Sequence, residues 1–252
     1  MSVVGPYSYS VAGSDLRPVK SCFDMVKFAD DVDLITALDN YDLISDELEH
    51  ISQWAKMNNL VLNKSKTKEI IFHNVRSHPL LPPPIDGIIR VDSIKILGVT
   101  LQDNLSMNSH VDSLLVDCSN MLYAMKILRS HGMNDEGLHE VFRSKIVSKI
   151  TYATSAWWGL ASETVIDRIN SFLRRSIKFG YYPADGPMFE ELCGVADDRL
   201  FAKIENNKFH VLYNCLPSKK ETGYNMRKRK HSFLLPIKDN RNFINRFLFK
   251  NI

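Results

Sequence analysis

Met25-Val-Lys-Phe-Ala-Asp-Asp-Val-Asp-Leu-Ile35 sets two adjacent acids, Asp30 and Asp31, between two short apolar arms, Met25 to Phe28 and Val32 to Ile35. The arms carry β-branched and aromatic residues, and the small Ala29 leaves room for a tight turn, so the stretch predicts a β-hairpin with two carboxylates at its tip. Carboxylates held that close repel one another, an arrangement that is costly unless a cation sits between them. Hard oxygen ligands at a turn suit Mg²⁺, which takes one or two carboxylates and completes its shell with phosphates and water. Two-metal phosphoryl transfer uses sites of this type.

On its C-terminal side, Asp39 or Asn40 is placed to cap a helix running to about Asn58, with Leu43, Ile44, Leu48, Ile51, Trp54 and Ala55 inward and Asp46, Glu47, Glu49 and Gln53 outward. A strand is expected from Glu69 to His73, then a proline-rich loop to Pro84, then two short strands between Ile88 and Leu101. From Asn104 the period turns helical. Val111, Leu114, Leu115, Cys118, Met121, Leu122, Met125 and Leu128 share one face, ended by Gly132; a second helix starts at Asn134 or Asp135 and a third at Ser162. Short connections between them imply an antiparallel bundle. A second Ala-Asp-Asp, at Ala196 to Asp198, has no apolar β arms and is expected to cap a helix carrying Leu200, Phe201, Ile204, Val211 and Leu212.

The 252 residues are long enough for one large domain or two smaller ones; 44% hydrophobic and 24% charged residues exclude a disordered chain. No uncharged apolar run is long enough for a bilayer-spanning helix, and Met1 to Pro6 lacks the features of a signal peptide. Cys22, Cys118, Cys193 and Cys215 are scattered and read as reduced, intracellular thiols, nuclear or cytoplasmic. The net charge of +3 hides an asymmetry: Lys219 to Ile252 holds ten Lys or Arg and two acids, and the remainder is mildly acidic. A basic tail on such a body suggests a polyanion partner or a nuclear-import signal.

Phe28-Ala29-Asp30-Asp31, with its arms, resembles the acidic hairpin (motif C) of reverse transcriptases. Trp54, Asn59, Leu60, Leu62, Asn63, Lys66 and Thr67 are similar to motif D of the non-LTR (LINE-type) retrotransposon enzymes, a more specific match than the acidic pair. Ile94-Lys-Ile-Leu-Gly-Val-Thr-Leu-Gln-Asp103 resembles their motif E, the primer grip, and Ser2-Val-Val-Gly-Pro6 the end of motif B. The resemblance implies an α+β fold: a partial polymerase palm over 1–104 (antiparallel strands with a covering helix), an all-α thumb bundle over 105–182, a helical extension over 183–216 and a basic aromatic tail over 217–252.

It further implies RNA-directed DNA polymerase chemistry in the full-length protein, a nucleotidyl transfer with two Mg²⁺ ions acting on an RNA template and a DNA primer. Asp30 maps to the principal metal ligand and Asp31 to its neighbour. Lys66 maps to the lysine that protonates or neutralises the leaving pyrophosphate, with Lys64 and Lys68 as close alternatives. Phe28 would pack beside the primer end and Gly98 would touch the primer. Arg174, Arg175 and Lys178 are phosphate contacts or a solvated helix face. Arg227, Lys228, Arg229 and Lys230 are nucleic-acid contacts, an import signal or a soluble loop. The chain starts inside motif B in this reading, without the motif A aspartate and the fingers, so activity is not expected from it alone. The alternatives are a non-catalytic nucleic-acid-binding relic that uses the thumb and basic tail, and a helical scaffold.

Overall fold

The computed structural model describes residues 11–74, 80–219 and 231–250. The chain divides into two compact units, Met1–Asp92 and Ser93–Ile252. Helices are combined with small two-stranded sheets, mostly antiparallel, as in an α+β fold.

The first unit is built on the hairpin. Strands β1 (Phe23–Phe28) and β2 (Asp31–Thr36) pair antiparallel from Phe23↔Thr36 to Phe28↔Asp31, leaving Ala29 and Asp30 as a two-residue turn. Because side chains alternate, Met25, Val32 and Leu34 share one face. That face packs on Leu16, Ile51, Trp54 and Ala55. The last three project from α1 (Ile44–Met57), which follows a 3₁₀ turn at Leu38–Leu43. The helix thus covers the hairpin as its apolar spacing requires.

Glu47 departs from that spacing. Expected outward, it is 1% exposed, accepts a hydrogen bond from the Val19 backbone N–H at 2.9 Å and lies 3.6 Å from His50 Nδ1. Its partner is supplied by the segment before the hairpin, which also gives Asp15 to the Trp54 indole N–H at 3.1 Å. Lys27 ties the same segment down by donating to the carbonyls of Gly13 and Leu16, at 2.5 and 2.9 Å.

The strand expected from Glu69 to His73 is only β3 (Lys68–Glu69), parallel to β4 (Ile89–Arg90). A side-chain cluster makes up for so short a ladder. Arg90 donates to Glu69 at 2.8 Å, to the Tyr41 hydroxyl at 2.8 Å and to the Pro82 carbonyl at 2.6 Å, and Tyr41 donates to Glu69 at 2.6 Å. The carboxylate beside it raises the Arg90 pKa, while burial and Glu69 raise that of Tyr41.

The second unit begins with a hairpin, β5 (Ser93–Ile96) and β6 (Val99–Gln102). Val99 belongs to the core of the helical unit, with Leu101 packed against it. Helix α2 (Asn108–Ser130) runs the length expected for it. Helix α3 (Asp135–Val141) is capped by Asn134, whose side chain accepts from the Gly137 N–H at 3.0 Å. The second expected helix is not continuous. It passes through a π-helical turn at Phe142–Val147 into α4 (Ser148–Ile150), breaks at Ala153 (φ 52°) and resumes as α5 (Thr154–Trp157). Helix α6 (Glu163–Lys178) is capped by Ser162, then come α7 (Phe189–Glu205) and α8 (Phe243–Lys250).

Leu138, Phe142, Ile146, Trp157, Ile169, Phe172, Leu173 and Phe189 fill the main core of this unit with almost no exposed area. Each such side chain contributes about 1.5–3 kcal/mol by burial. Cys118 and Cys193 lie in the same core, where burial pushes both thiols upward, Cys118 to about 12. A smaller cluster of Phe201, Phe233, Ile244 and Leu248 seats α8 on α7, with Phe247 stacked on Phe201 at 3.7 Å.

One expectation fails here. Asp197 and Asp198 do not cap a helix: α7 begins eight residues before Asp197, ends at Glu205 and holds both acids in its interior. Of the tail's aromatic residues, Phe233 and Phe247 are packed in the smaller cluster. Among the described residues no helix is long and apolar enough to cross a membrane.

Candidate functional site

The hairpin tip presents its acids to solvent. Ala29, the first turn residue, has φ 52°, a left-handed conformation that costs a non-glycine residue about 1–2 kcal/mol. Asp30 is the second turn residue and Asp31 opens β2, directly across from Phe28, which is 62% exposed. Both carboxylates are exposed. The register puts Val26, Phe28, Asp31, Asp33 and Ile35 on the face opposite α1, and Val26 and Ile35 are exposed there too. This face therefore combines carboxylates with uncovered apolar surface.

Asp33 is a site residue that the sequence reading passed over. It follows Asp31 by two positions in a strand, which is the signal that puts both on one face. Its pKa is raised, first by burial and then by the charge of Asp31.

Lys66 lies in the first unit, in a turn that Asn63 organises. The Asn63 side chain accepts from Ser65 Oγ at 2.7 Å and from the Lys66 N–H at 3.2 Å, and its carbonyl accepts from Thr67 Oγ1 at 2.9 Å. The Asn and Thr of the motif D-like stretch thus have a local folding role, that of an Asx-type turn. Lys64, Lys66 and Lys68 are exposed, and none forms an ion pair with Asp30 or Asp31 among the described residues.

Gly98 and the three basic residues of the third helix belong to the second unit. Leu97 and Gly98 have φ of 46° and 89° and close the β5–β6 hairpin with two left-handed residues. A Cβ at Gly98 would stand 3.2 Å from the Tyr152 ring, and the Tyr152 hydroxyl donates to the Leu97 carbonyl at 2.9 Å. This turn borders a groove of ≈ 650 Å³ that also takes in Lys95, His110 and Lys149. Lys149 is paired with Asp117 at 2.6 Å. His110 is packed edge-on against Trp157, its pKa lowered by burial and by Lys95. Tyr152 and Lys149 were not singled out from sequence, since only the break at Ala153 brings that segment beside the hairpin turn.

Arg174, Arg175 and Lys178 are exposed on α6, and among the described residues none has a carboxylate partner. Arg168, about two turns earlier, is paired with Asp112. Arg227, Lys228, Arg229 and Lys230 lie outside the described residues.

The hairpin offers Mg²⁺ two exposed, adjacent carboxylates, which is the number this ion commonly takes from a protein. Among the described residues no group of three or more His, Cys, Asp or Glu side chains converges as a metal centre. No family model, curated protein or solved structure matches the chain.

Proposed function

We propose that this chain is a carboxy-terminal part of a non-LTR retrotransposon reverse transcriptase, with a partial palm in the first unit and the thumb in the second. The observation that carries the reading is the strained two-residue turn, which holds Asp30 and Asp31 at the tip of a hairpin beside an exposed Phe28. The motif D-like and motif E-like stretches and the helical bundle follow it in the order of the family resemblance.

Asp30 and Asp31 would hold Mg²⁺, which when bound neutralises charge on a triphosphate. The part of this chain is to fix those two carboxylates at the tip of a paired hairpin and to present Phe28 next to them. Two ions in reaction geometry need a further, bridging carboxylate. Nucleotidyl transfer accordingly belongs to a protein that supplies it.

The transcript upstream of the Met1 codon tests the reading. It should encode, in frame, an aspartate-bearing strand and the fingers; stop codons or unrelated sequence there would overturn catalysis in a longer protein and leave a retrotransposon relic whose function is binding.

A second reading is a nucleic-acid-binding module without catalysis. It is favoured by Arg174, Arg175 and Lys178 on one helix, which have no carboxylate partner among the described residues, whereas Arg168 on the same helix is neutralised. Steeply salt-dependent binding to an RNA–DNA duplex supports it, and the absence of such binding leaves only a scaffold.

A further inference from the structure

Helix α2 is apolar on two sides. Its buried residues Val111, Leu114, Cys118 and Met125 lie on the face turned to the core of the second unit. Half a turn away, Val116, Tyr123 and Ile127 are 61%, 67% and 44% exposed. With the exposed Asn120 among them they stand at 116, 120, 123 and 127, the alternating four- and three-residue spacing of a coiled-coil seam. The same spacing extends to Ser113 and Ser130, so the seam carries no charged residue between its ends.

The other long helices of this unit are built differently. The exposed side chains of α6 are all polar or charged, and those of α7 are mostly charged. On α2 the acids sit on the shoulders of the seam and are occupied there: Asp112 pairs with Arg168 of α6, and Asp117 with Lys149 of α4. Lys126 adds a single ammonium beside the seam. A face so poor in cations does not suit a polyanion. Depletion of charge around an aromatic centre is instead the composition of a protein interface.

The order of residues along the seam says which partner it fits. Two copies laid antiparallel about a two-fold axis between Asn120 and Tyr123 bring Val116 of each onto Ile127 of the other, and Asn120 onto Tyr123. Apolar layers then enclose two Asn–Tyr layers, in which amide and hydroxyl meet. The flanking positions set Lys126 against Ser119 and Asp117 against Ala124, with no like charges opposed. A parallel pair brings Asp112 beside Asp117 and Lys126 beside His131, which is the poorer fit.

We propose that this crest of α2 is a self-association surface, through which two copies of the chain pair as an antiparallel helix dimer. A helix of 23 residues is about 34 Å long, and one seam of that length buries less than the roughly 1,200–2,000 Å² of a stable complex. The dimer is therefore concentration-dependent. The inference does not rest on the polymerase reading.

Sedimentation equilibrium of the whole chain from about 1 to about 500 μM is the test, and the mass should rise from one chain toward two. Val116→Glu and Ile127→Lys, each at an exposed position, should leave the helical circular dichroism intact. Each should weaken association at least about tenfold, because the symmetric interface buries the unpaired charge twice. Val116→Glu/Ile127→Lys sets opposite charges across the antiparallel seam and should associate at least about fivefold more tightly than either single variant. A chain monomeric at every concentration, association untouched by the single variants, or a double variant no tighter than the singles overturns the proposal. So does a monomer whose affinity for an RNA–DNA duplex changes in the double variant, a result that assigns the face to nucleic acid.

Discussion

Ala29 and Asp33 show how the tip of the hairpin stores unfavourable energy. Ala29 sits at φ 52° where glycine carries no penalty. Ala29→Gly should stabilise the first unit by about 0.5–1 kcal/mol, read as a shift in its denaturation midpoint. Asp33 is held in its protonated form more strongly when folded than when unfolded, through burial and the neighbouring Asp31 charge. In the pH window between its unfolded value of 3.8 and its raised folded value, the native state binds more protons than the unfolded one. Stability of the first unit therefore falls as pH rises through that window. Asp33→Asn should remove this slope and raise the midpoint at pH 7, which denaturation at several pH values will show. His110 acts in the opposite sense in the second unit: its lowered pKa costs stability as pH falls below 6.5.

The elements whose ends were legible in the sequence are those with local signals. Asn134 and Ser162 were read as helix starts, and both cap a helix within three residues of themselves. The hairpin and the covering face of α1 were legible because strand and helix periods depend only on neighbours. What escaped depends on distant partners. Glu47 is buried because Val19, 28 positions away, needs an acceptor. Asp197 lies inside α7, where Arg246, 49 positions away, reaches it.

Gly159 belongs with these long-range cases: a Cβ there would stand 2.1 Å from Arg246 Nη1 and 2.7 Å from the Arg241 carbonyl. Gly159→Ala should destabilise the docking of α8 by about 1–3 kcal/mol, seen as faster hydrogen exchange in α8. On α6, Arg174→Ala/Arg175→Ala/Lys178→Ala should leave the helical circular dichroism intact. If the helix grips nucleic acid, the slope of log affinity against log salt should shrink by about two to three.

For the molecule as a whole, the unit boundary after Asp92 assigns the β5–β6 hairpin to the helices. A chain beginning at Ser93 should unfold cooperatively on its own. One beginning at Asn104 should melt lower by about 2–4 kcal/mol, because Val99 and Leu101 leave the core. Thermal melts of the two chains check this. The candidate site was legible in its residue types and not in its assembly: Phe28 and Asp31 do meet across the hairpin, while Lys66 forms no ion pair with the acids among the described residues.

The exposure of Asp30 and Asp31 also turns the hairpin into a clock. Those two side chains reach solvent, whereas the Asn63 side chain accepts two hydrogen bonds within its own turn. In a set of gene copies released from catalytic selection, the two aspartates should drift as freely as any surface position while Asn63 is kept by stability alone. In copies that still serve a polymerase the order inverts, and the aspartates become the slowest positions in the hairpin. The ratio of those two substitution rates dates the loss of activity without any protein being made.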